Sequence, residues 1–362
     1  MDLDIDVLII TGTRPEVIKM APVYHALQQE SLSVVWCHSG QHDTLATQAF
    51  SYFNITPDFS LTRPNTTELA DLFAGLLAQL NGVIQAHHPK CVIVHGDTSS
   101  TLAAAMAAFY NKVAIIAHVE AGLRSGDIYH PFPEEVNRKQ VAVVVNRHYS
   151  PTVKAAHALF AEGIAPETVI CTGNTVVDAQ MYLLKQSKIT TPKEKRTVLI
   201  TVHRRENWVN LPIICLAINR LVQQHPLLTF RFVTHPNPLI KQQIQDLLSD
   251  SPNLQISDPL DYLNLQQALA DSALVLTDSG GIQEEAPTYD VPVVVLRETT
   301  ERPEACQLGL AILAGATDPD KIVDAAQHML NSSHAIASNP YGDGKAAQTI
   351  ASDIKECIRG LS

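Results

Sequence analysis

Arg14 and Lys19 lie in the stretch TGTRPEVIKMAPV, Thr11 to Val23, which follows the apolar run Val7–Ile10. A helix is predicted to start there, and a helix start already presents partial positive charge. Cations at such a place are unfavourable unless an anion lies among them. Pro15 and Glu16 read as ordinary helix-start residues, so a plain strand-to-helix turn with solvated cations is the competing explanation. The stretch has a single glycine, Gly12, where a dinucleotide fingerprint needs three, which disfavours a nicotinamide enzyme.

Candidate carboxylates follow other apolar runs. In VHGDTSST, Val94 to Thr101, Asp97 either caps the helix expected near Thr98 or faces a ligand. The long stretch His118 to Arg138, HVEAGLRSGDIYHPFPEEVNR, crowds Glu120, Arg124, Asp127, Glu134, Glu135 and Arg138 among Gly122, Gly126, Pro131 and Pro133. Charged long loops at strand ends are more often functional than structural. Solvated surface charge competes for each of these residues, most readily for Glu135.

Anion-binding chemistry is legible further along. TVHRRENW places His203, Arg204 and Arg205 at a strand end, and THPNP adds His235 after the next strand. In LTDSGGIQEEAP, Leu276 to Pro287, the small residues Ser279, Gly280 and Gly281 can wrap a phosphate with backbone N–H groups. Glu284 and Glu285 are expected in the first helical turn after them, where a carboxylate could accept ribose hydroxyls or simply complement the helix dipole. TTERPEA adds Arg302 and Glu304 near the same edge. No HExxH or paired CxxC accompanies the histidines, so no metal site is expected. A diphosphate between these groups would account for the cations.

Short apolar runs followed by helical patterns must position all of these residues. They recur at Val7–Ile10, Val34–Cys37, Cys91–Val94, Val113–Ala117, Val198–Thr201, Thr229–Val233, Leu274–Thr277 and Val293–Leu296. Such alternation predicts an α/β chain with parallel strands covered on both faces. The 362 residues suit two Rossmann-like domains, 1–186 and 197–343, joined by the polar stretch Lys185–Arg196. Residues 344–362 are expected to form a helix that could pack on either domain. A ligand is expected at the carboxyl ends of the strands, in a cleft between the two halves.

With 46% apolar and 17% charged residues, the composition excludes a disordered chain. A net charge of −11 argues against nucleic-acid binding, so an anion must be met locally. The six scattered cysteines read as reduced core residues. The sequence gives no expectation of a signal peptide or a membrane span, and the cytoplasm is the expected location.

The strings GTRPE, HGDT, VEAGLR-GD-Y-PFPEE-NR, TGNT-VD, HRREN, TDSGGIQEEAP and TTERPEA, in this order, closely resemble the non-hydrolysing UDP-N-acetylglucosamine 2-epimerases. The match runs from about Val7 to about Ala316. The resemblance implies a GT-B-type architecture, a homodimer, and interconversion of UDP-N-acetylglucosamine with UDP-N-acetylmannosamine through 2-acetamidoglucal, without redox cofactor or metal. It implies that Asp97, Glu120 and Glu134 handle protons at C2 and support the sugar. By the same resemblance His203 and Arg14 contact the diphosphate, with Arg204 and His235 nearby, and Lys19 and Arg138 are further active-site cations. Ser279, Gly280 and Gly281 would hold phosphate oxygens and Glu285 the ribose. Leu265 stands where many members carry Phe, so the resemblance implies different packing around the uracil; Thr44, after Gln41-His42, and the region Arg63–Asn65 also depart from the pattern, which argues against the allosteric activation of some relatives. A hydrolysing relative, a GT-B glycosyltransferase and a nucleotide-sugar binding protein are the alternatives.

Overall fold

A computed structural model describes residues 5–40, 43–332 and 339–361. Gln41 and His42 lie outside the described residues, as does the side chain of Thr44. The chain divides into two compact units, Met1–Tyr182 with Tyr341–Ser362, and Leu183–Pro340.

In the first unit, β1 (Val7–Thr11), β2 (Val34–His38), β3 (Phe59–Ser60), β4 (Cys91–His95), β5 (Ile115–Val119), β6 (Arg147–Ser150) and β7 (Val169–Cys171) form one parallel sheet. Its order is β3-β2-β1-β4-β5-β6-β7, so the sequence order reverses between β1 and β4. The connecting helices are α1 (Arg14–Gln29), α2 (Asp43–Tyr52), α3 (Leu69–His87), α4 (Ser99–Tyr110), α5 (Glu134–Val144), α6 (Val153–Ala161) and α7 (Thr175–Lys185). Every residue of β1, β4 and β5 is buried, which is why these strands read as unbroken apolar runs.

The second unit repeats the plan with β8 (Thr197–Thr201), β9 (Thr229–Val233), β10 (Leu254–Ser257), β11 (Ser272–Thr277), β12 (Val293–Val295) and β13 (Ala311–Leu313). Its parallel sheet has the order β10-β9-β8-β11-β12-β13, with the reversal between β8 and β11. Helices α8 (Leu211–Gln224), α9 (Pro238–Leu247), α10 (Tyr262–Ala270), α11 (Gly280–Glu285), α12 (Pro303–Gln307) and α13 (Pro319–Asn331) connect these strands. A core of aliphatic and aromatic side chains, among them Ile200, Phe230, Phe232 and Leu276, joins this sheet to α8 and α13.

The last helix, α14 (Ala346–Arg359), belongs to the first unit and packs on α1. Its own N-cap, Lys345, supplies no side-chain cap. Asp178 of α7 takes that place by accepting the Ala347 N–H at 2.9 Å. Residues 186–196 carry no regular element, yet they are fastened to the second unit. Gln267 exchanges two hydrogen bonds with the Thr190 backbone, and the Lys195 ammonium donates to the Tyr289 carbonyl.

One element corrects the sequence reading. Helix α3 is 19 residues long with mean hydropathy 1.3 over its most apolar 18 residues, long and apolar enough by that measure to cross a membrane, where no such stretch is expected from the sequence. Leu72, Leu76, Leu80 and Ile84 of α3 join Leu8, Ile10, Val92 and Val94 in the core of the first unit. Its small residues Ala70, Ala74, Ala78 and Gly82 are exposed.

Glu16, in the first turn of α1, is buried and accepts the Gly12 N–H at 2.5 Å. Burial dominates and pushes its carboxyl up to about 7, against the lowering effect of hydrogen bonds from Gly12, Thr98 and Thr13, while the Asp97 charge adds to the rise. A carboxyl raised on folding contributes stability that is full below its unfolded value and lost as pH climbs through the folded one. Between pH 4.5 and about 7 Glu16 should therefore cost the fold on the order of 3 kcal/mol. Denaturant unfolding of Glu16→Gln at pH 5 and pH 8 should show a weaker decline with pH than the parent chain; an unchanged decline would contradict the burial argument.

Candidate active site

The reversal in strand order of an open parallel sheet leaves a crevice at the carboxyl ends of the two strands concerned. In the first unit those strands are β1 and β4, and the candidate residues gather beyond their ends. Thr13 precedes α1 without a side-chain cap, and Arg14 and Lys19 stand in the first two turns of that helix. Lys19 is ion-paired with Glu120, which directly follows β5. Asn174, ahead of α7, donates to the same Glu120 oxygen at 3.3 Å, and His95 at the end of β4 lies 3.8 Å from it. Glu120 holds this position with φ +67°, a left-handed conformation that costs a non-glycine residue about 1–3 kcal/mol.

Asp97 forms the second pair. The Arg138 guanidinium grips its Oδ2 through Nε at 2.8 Å and a terminal nitrogen at 2.5 Å, while Asn137 donates to the Asp97 carbonyl. Thr98, not Asp97, caps α4, its hydroxyl accepting from the Thr101 N–H, so Asp97 is left for Arg138. Glu134 opens α5, half-buried and without an ion pair among the described residues, and Arg14 is likewise unpaired among them.

In the second unit the reversal falls between β8 and β11. The Thr201 and Thr277 hydroxyls share a hydrogen bond of 2.7 Å and pin the two strand ends together. Beyond β8 come His203 and Arg204, and beyond β11 come Asp278 and the turn Ser279–Gly281 that opens α11. Asp278 is fully buried and receives the backbone N–H groups of His203 and Arg204 and the side-chain amide of Asn207. Its Oδ1 also stands 3.1 Å from His203 Nδ1, although half of the His203 ring is exposed. Burial alone would raise the Asp278 carboxyl, but the bond and charge of His203 with the donors from Arg204 and Asn207 outweigh it, holding the group below the ordinary carboxylate value.

A Cβ at Gly280 would meet the Arg302 guanidinium at 2.6 Å, so a larger residue there would have to shift that side chain. Arg302 in turn donates to Glu284 at 2.6 Å. His235 follows β9, its Nδ1 accepting the Asn237 N–H, with its ring edge-on to Trp208.

Several sequence expectations change. Glu135 is not a solvated surface charge: it has 0% exposure, accepts the Ser125 and Gly126 N–H groups, and steadies Arg138 from the side opposite Asp97. Glu284 and Glu285 fall in the second turn of α11, since that helix starts at Gly280. Glu285 is half-buried and accepts from Gln266 at 2.9 Å. Arg124 pairs with Glu162 at the end of α6 and Asp127 with exposed His130, so neither joins the pairs around Asp97 and Glu120. The sequence reading passed over Asp278, Asn207, Asn174 and His95. Asp278 carried a usable signal, an acid directly after an apolar strand and before two glycines. Asn174 stands in the TGNT-VD string of the family resemblance, which gave it no role. Among the described residues no His, Cys, Asp and Glu cluster has metal-holding geometry.

Comparison with known proteins identifies the family. The family model for UDP-N-acetylglucosamine 2-epimerase matches residues 25–355. The UDP-N-acetylglucosamine 2-epimerase of Neisseria meningitidis serogroup A is 40% identical, over 95% of this chain and 97% of its own. A probable UDP-N-acetylglucosamine 2-epimerase of Ralstonia solanacearum is 39% identical, over 96% and 98%. The solved N. meningitidis enzyme bound to UDP-GlcNAc superposes with TM-score 0.85 at 37% identity, covering 97% of this chain and all of that one (100%). A structure of S. aureus MnaA with UDP gives TM-score 0.85 at 38% identity, over 98% and 97%. These relatives have a GT-B-like α/β fold, and the two parallel sheets of seven and six strands described above are of that class. By sequence and by fold, the chain belongs to the UDP-N-acetylglucosamine 2-epimerase family.

Proposed function

We propose that the chain interconverts UDP-N-acetylglucosamine and UDP-N-acetylmannosamine without releasing free sugar. The observation that carries this reading is the pair of carboxylate–cation contacts at the first switch point, Glu120 with Lys19 and Asp97 with Arg138. A protein that only bound UDP would have no use for them. Relatives with solved structures bind UDP-GlcNAc and UDP, which supports a UDP-sugar as substrate.

The chemistry asks for two things at once, because C2–H of the sugar is a very weak acid. A carboxylate takes the C2 proton while the C1–O bond breaks and its electrons leave on the β-phosphate oxygen. The products of that half-reaction are 2-acetamidoglucal and UDP. On return, the phosphate oxygen re-forms the bond to C1 and a proton is delivered to the other face of C2. Oxidation state is unchanged overall, so the route calls for no redox cofactor. Asp97, Glu120 and Glu134 are the groups that hold and move the C2 proton and support the sugar, with Lys19 and Arg138 setting the charge around them. His203 and Arg14 meet the departing diphosphate, with Arg204 and His235 beside it. Ser279, Gly280 and Gly281 take phosphate oxygens, and Glu285 the ribose hydroxyls.

Water adding to the glucal would instead make the chain a hydrolase, and an acceptor sugar would make it a transferase. Retention favours enclosure, because glucal and UDP must stay together to recombine. We also propose a homodimer, supported by the exposed face of α3 with the neighbouring exposed Phe109 and Tyr110 of α4, and a cytoplasmic location.

Proton NMR of the purified chain with UDP-N-acetylglucosamine should show UDP-N-acetylmannosamine accumulating to an equilibrium mixture. Accumulation of free N-acetylmannosamine and UDP would overturn the reading. Asp97→Asn and Glu120→Gln should each lower turnover by about 10²–10⁴-fold with UDP affinity within a few-fold of the parent, as expected for lost proton transfer. Arg14→Ala should weaken UDP binding by about 10-fold or more, the value of a charged hydrogen bond, in a calorimetric titration. Unchanged turnover in either carboxylate variant would remove that residue from the proton-handling set.

A further inference from the structure

Asp278 has a demand on it that packing alone does not explain. Its buried carboxylate is already satisfied by the N–H groups of His203 and Arg204 and by Asn207, whose amide is itself fixed by the Leu296 carbonyl. The His203 ring is half exposed and could turn to water, yet its Nδ1 is drawn to 3.1 Å from Oδ1. We propose that Asp278 is a positioning residue for His203, committing Nδ1 of the ring so that Nε2 is the atom presented to the diphosphate of a nucleotide sugar. This rests on the epimerase reading for the identity of the ligand, but not for the geometry.

The position of Asp278 in the chain makes it suited to that task. It follows β11 directly, and the next residue, Ser279, caps α11 by accepting the Ile282 N–H. Thr201 of β8 is in register with Thr277 of β11, so a side chain at 278 reaches across to the loop leaving β8 without leaving the sheet edge. One carboxylate therefore holds two phosphate-facing segments in a fixed relation, the His203–Arg204 loop and the Ser279–Gly281 turn. A neutral imidazole carries its proton on one nitrogen, and the partner of that nitrogen decides which one it is. A buried carboxylate at Nδ1 selects Nδ1–H, leaving Nε2 open toward the ligand. An asparagine in the same place keeps an acceptor for the backbone donors but can turn its NH2 toward Nδ1, which selects the opposite tautomer.

Nitrogen-15 NMR of the full chain in alkaline buffer reads the tautomer with no substrate present. The parent should show the proton of the neutral His203 ring on Nδ1; a proton on Nε2 overturns the proposal, even if Asp278→Asn fails to fold. In turnover of UDP-N-acetylglucosamine, Asp278→Asn and His203→Gln should each lose about 10²-fold or more, and the double variant should be no slower than His203→Gln alone within about threefold. Losses that multiply in the double variant would show that Asp278 acts otherwise than through His203, as would a folded Asp278→Asn with parental turnover. If the parent chain itself fails to turn over this substrate, the epimerase reading has failed, and the tautomer measurement still decides the role of Asp278.

Discussion

Charge that is buried at the carboxyl ends of parallel strands must find a partner there, and the arrangement of both units follows from that requirement. Removing a carboxylate from water costs several kcal/mol unless opposite charge or hydrogen bonds replace the lost hydration. Several partly or wholly buried acids are accordingly matched by a group from a different part of the chain: Glu120 by Lys19 of α1, Asp97 by Arg138 of α5, Glu135 by the Ser125–Gly126 backbone, Asp278 by the loop after β8. Because the partners come from separate parts of the chain, the same contacts that offset desolvation also fix the loops. Glu120 is held firmly enough to keep a left-handed backbone conformation.

The two sheets apply one topological device to different chemistry. Reversal of strand order opens the edge between β1 and β4 in the first unit and between β8 and β11 in the second. At the first edge the sequence supplies carboxylates facing cations, suited to moving a proton at carbon. At the second it supplies a histidine, an arginine and a small-residue turn, suited to a phosphate. The reaction proposed calls for both kinds of chemistry, removal of a proton that is hardly acidic and acceptance of the charge that departs from C1.

Much of this could be read from the chain before any coordinates, for identifiable reasons. Buried parallel strands are continuous apolar runs, so β1, β4, β5, β8 and β11 are conspicuous in the sequence. β6, with the sequence RHYS, and the two-residue β3 carry no such run and are set by pairing with neighbours. The residues that follow the conspicuous strands, Asp97, Glu120, His203 and Ser279, could be nominated for the same reason. Their pairings could not, since Lys19 and Glu120 are 101 positions apart and Arg138 and Asp97 are 41 apart. The burial of Glu135 is not legible in the sequence, which says only that an acid sits in a helical first turn; what buries it is the return of the Ser125–Gly126 backbone onto its oxygens.

Turnover in deuterium oxide tests the central claim most directly, namely that these carboxylates exchange the C2 proton while UDP is away from C1. The account predicts that every molecule of UDP-N-acetylmannosamine formed from protiated UDP-N-acetylglucosamine carries deuterium at C2. Product formed with hydrogen retained at C2 would contradict it.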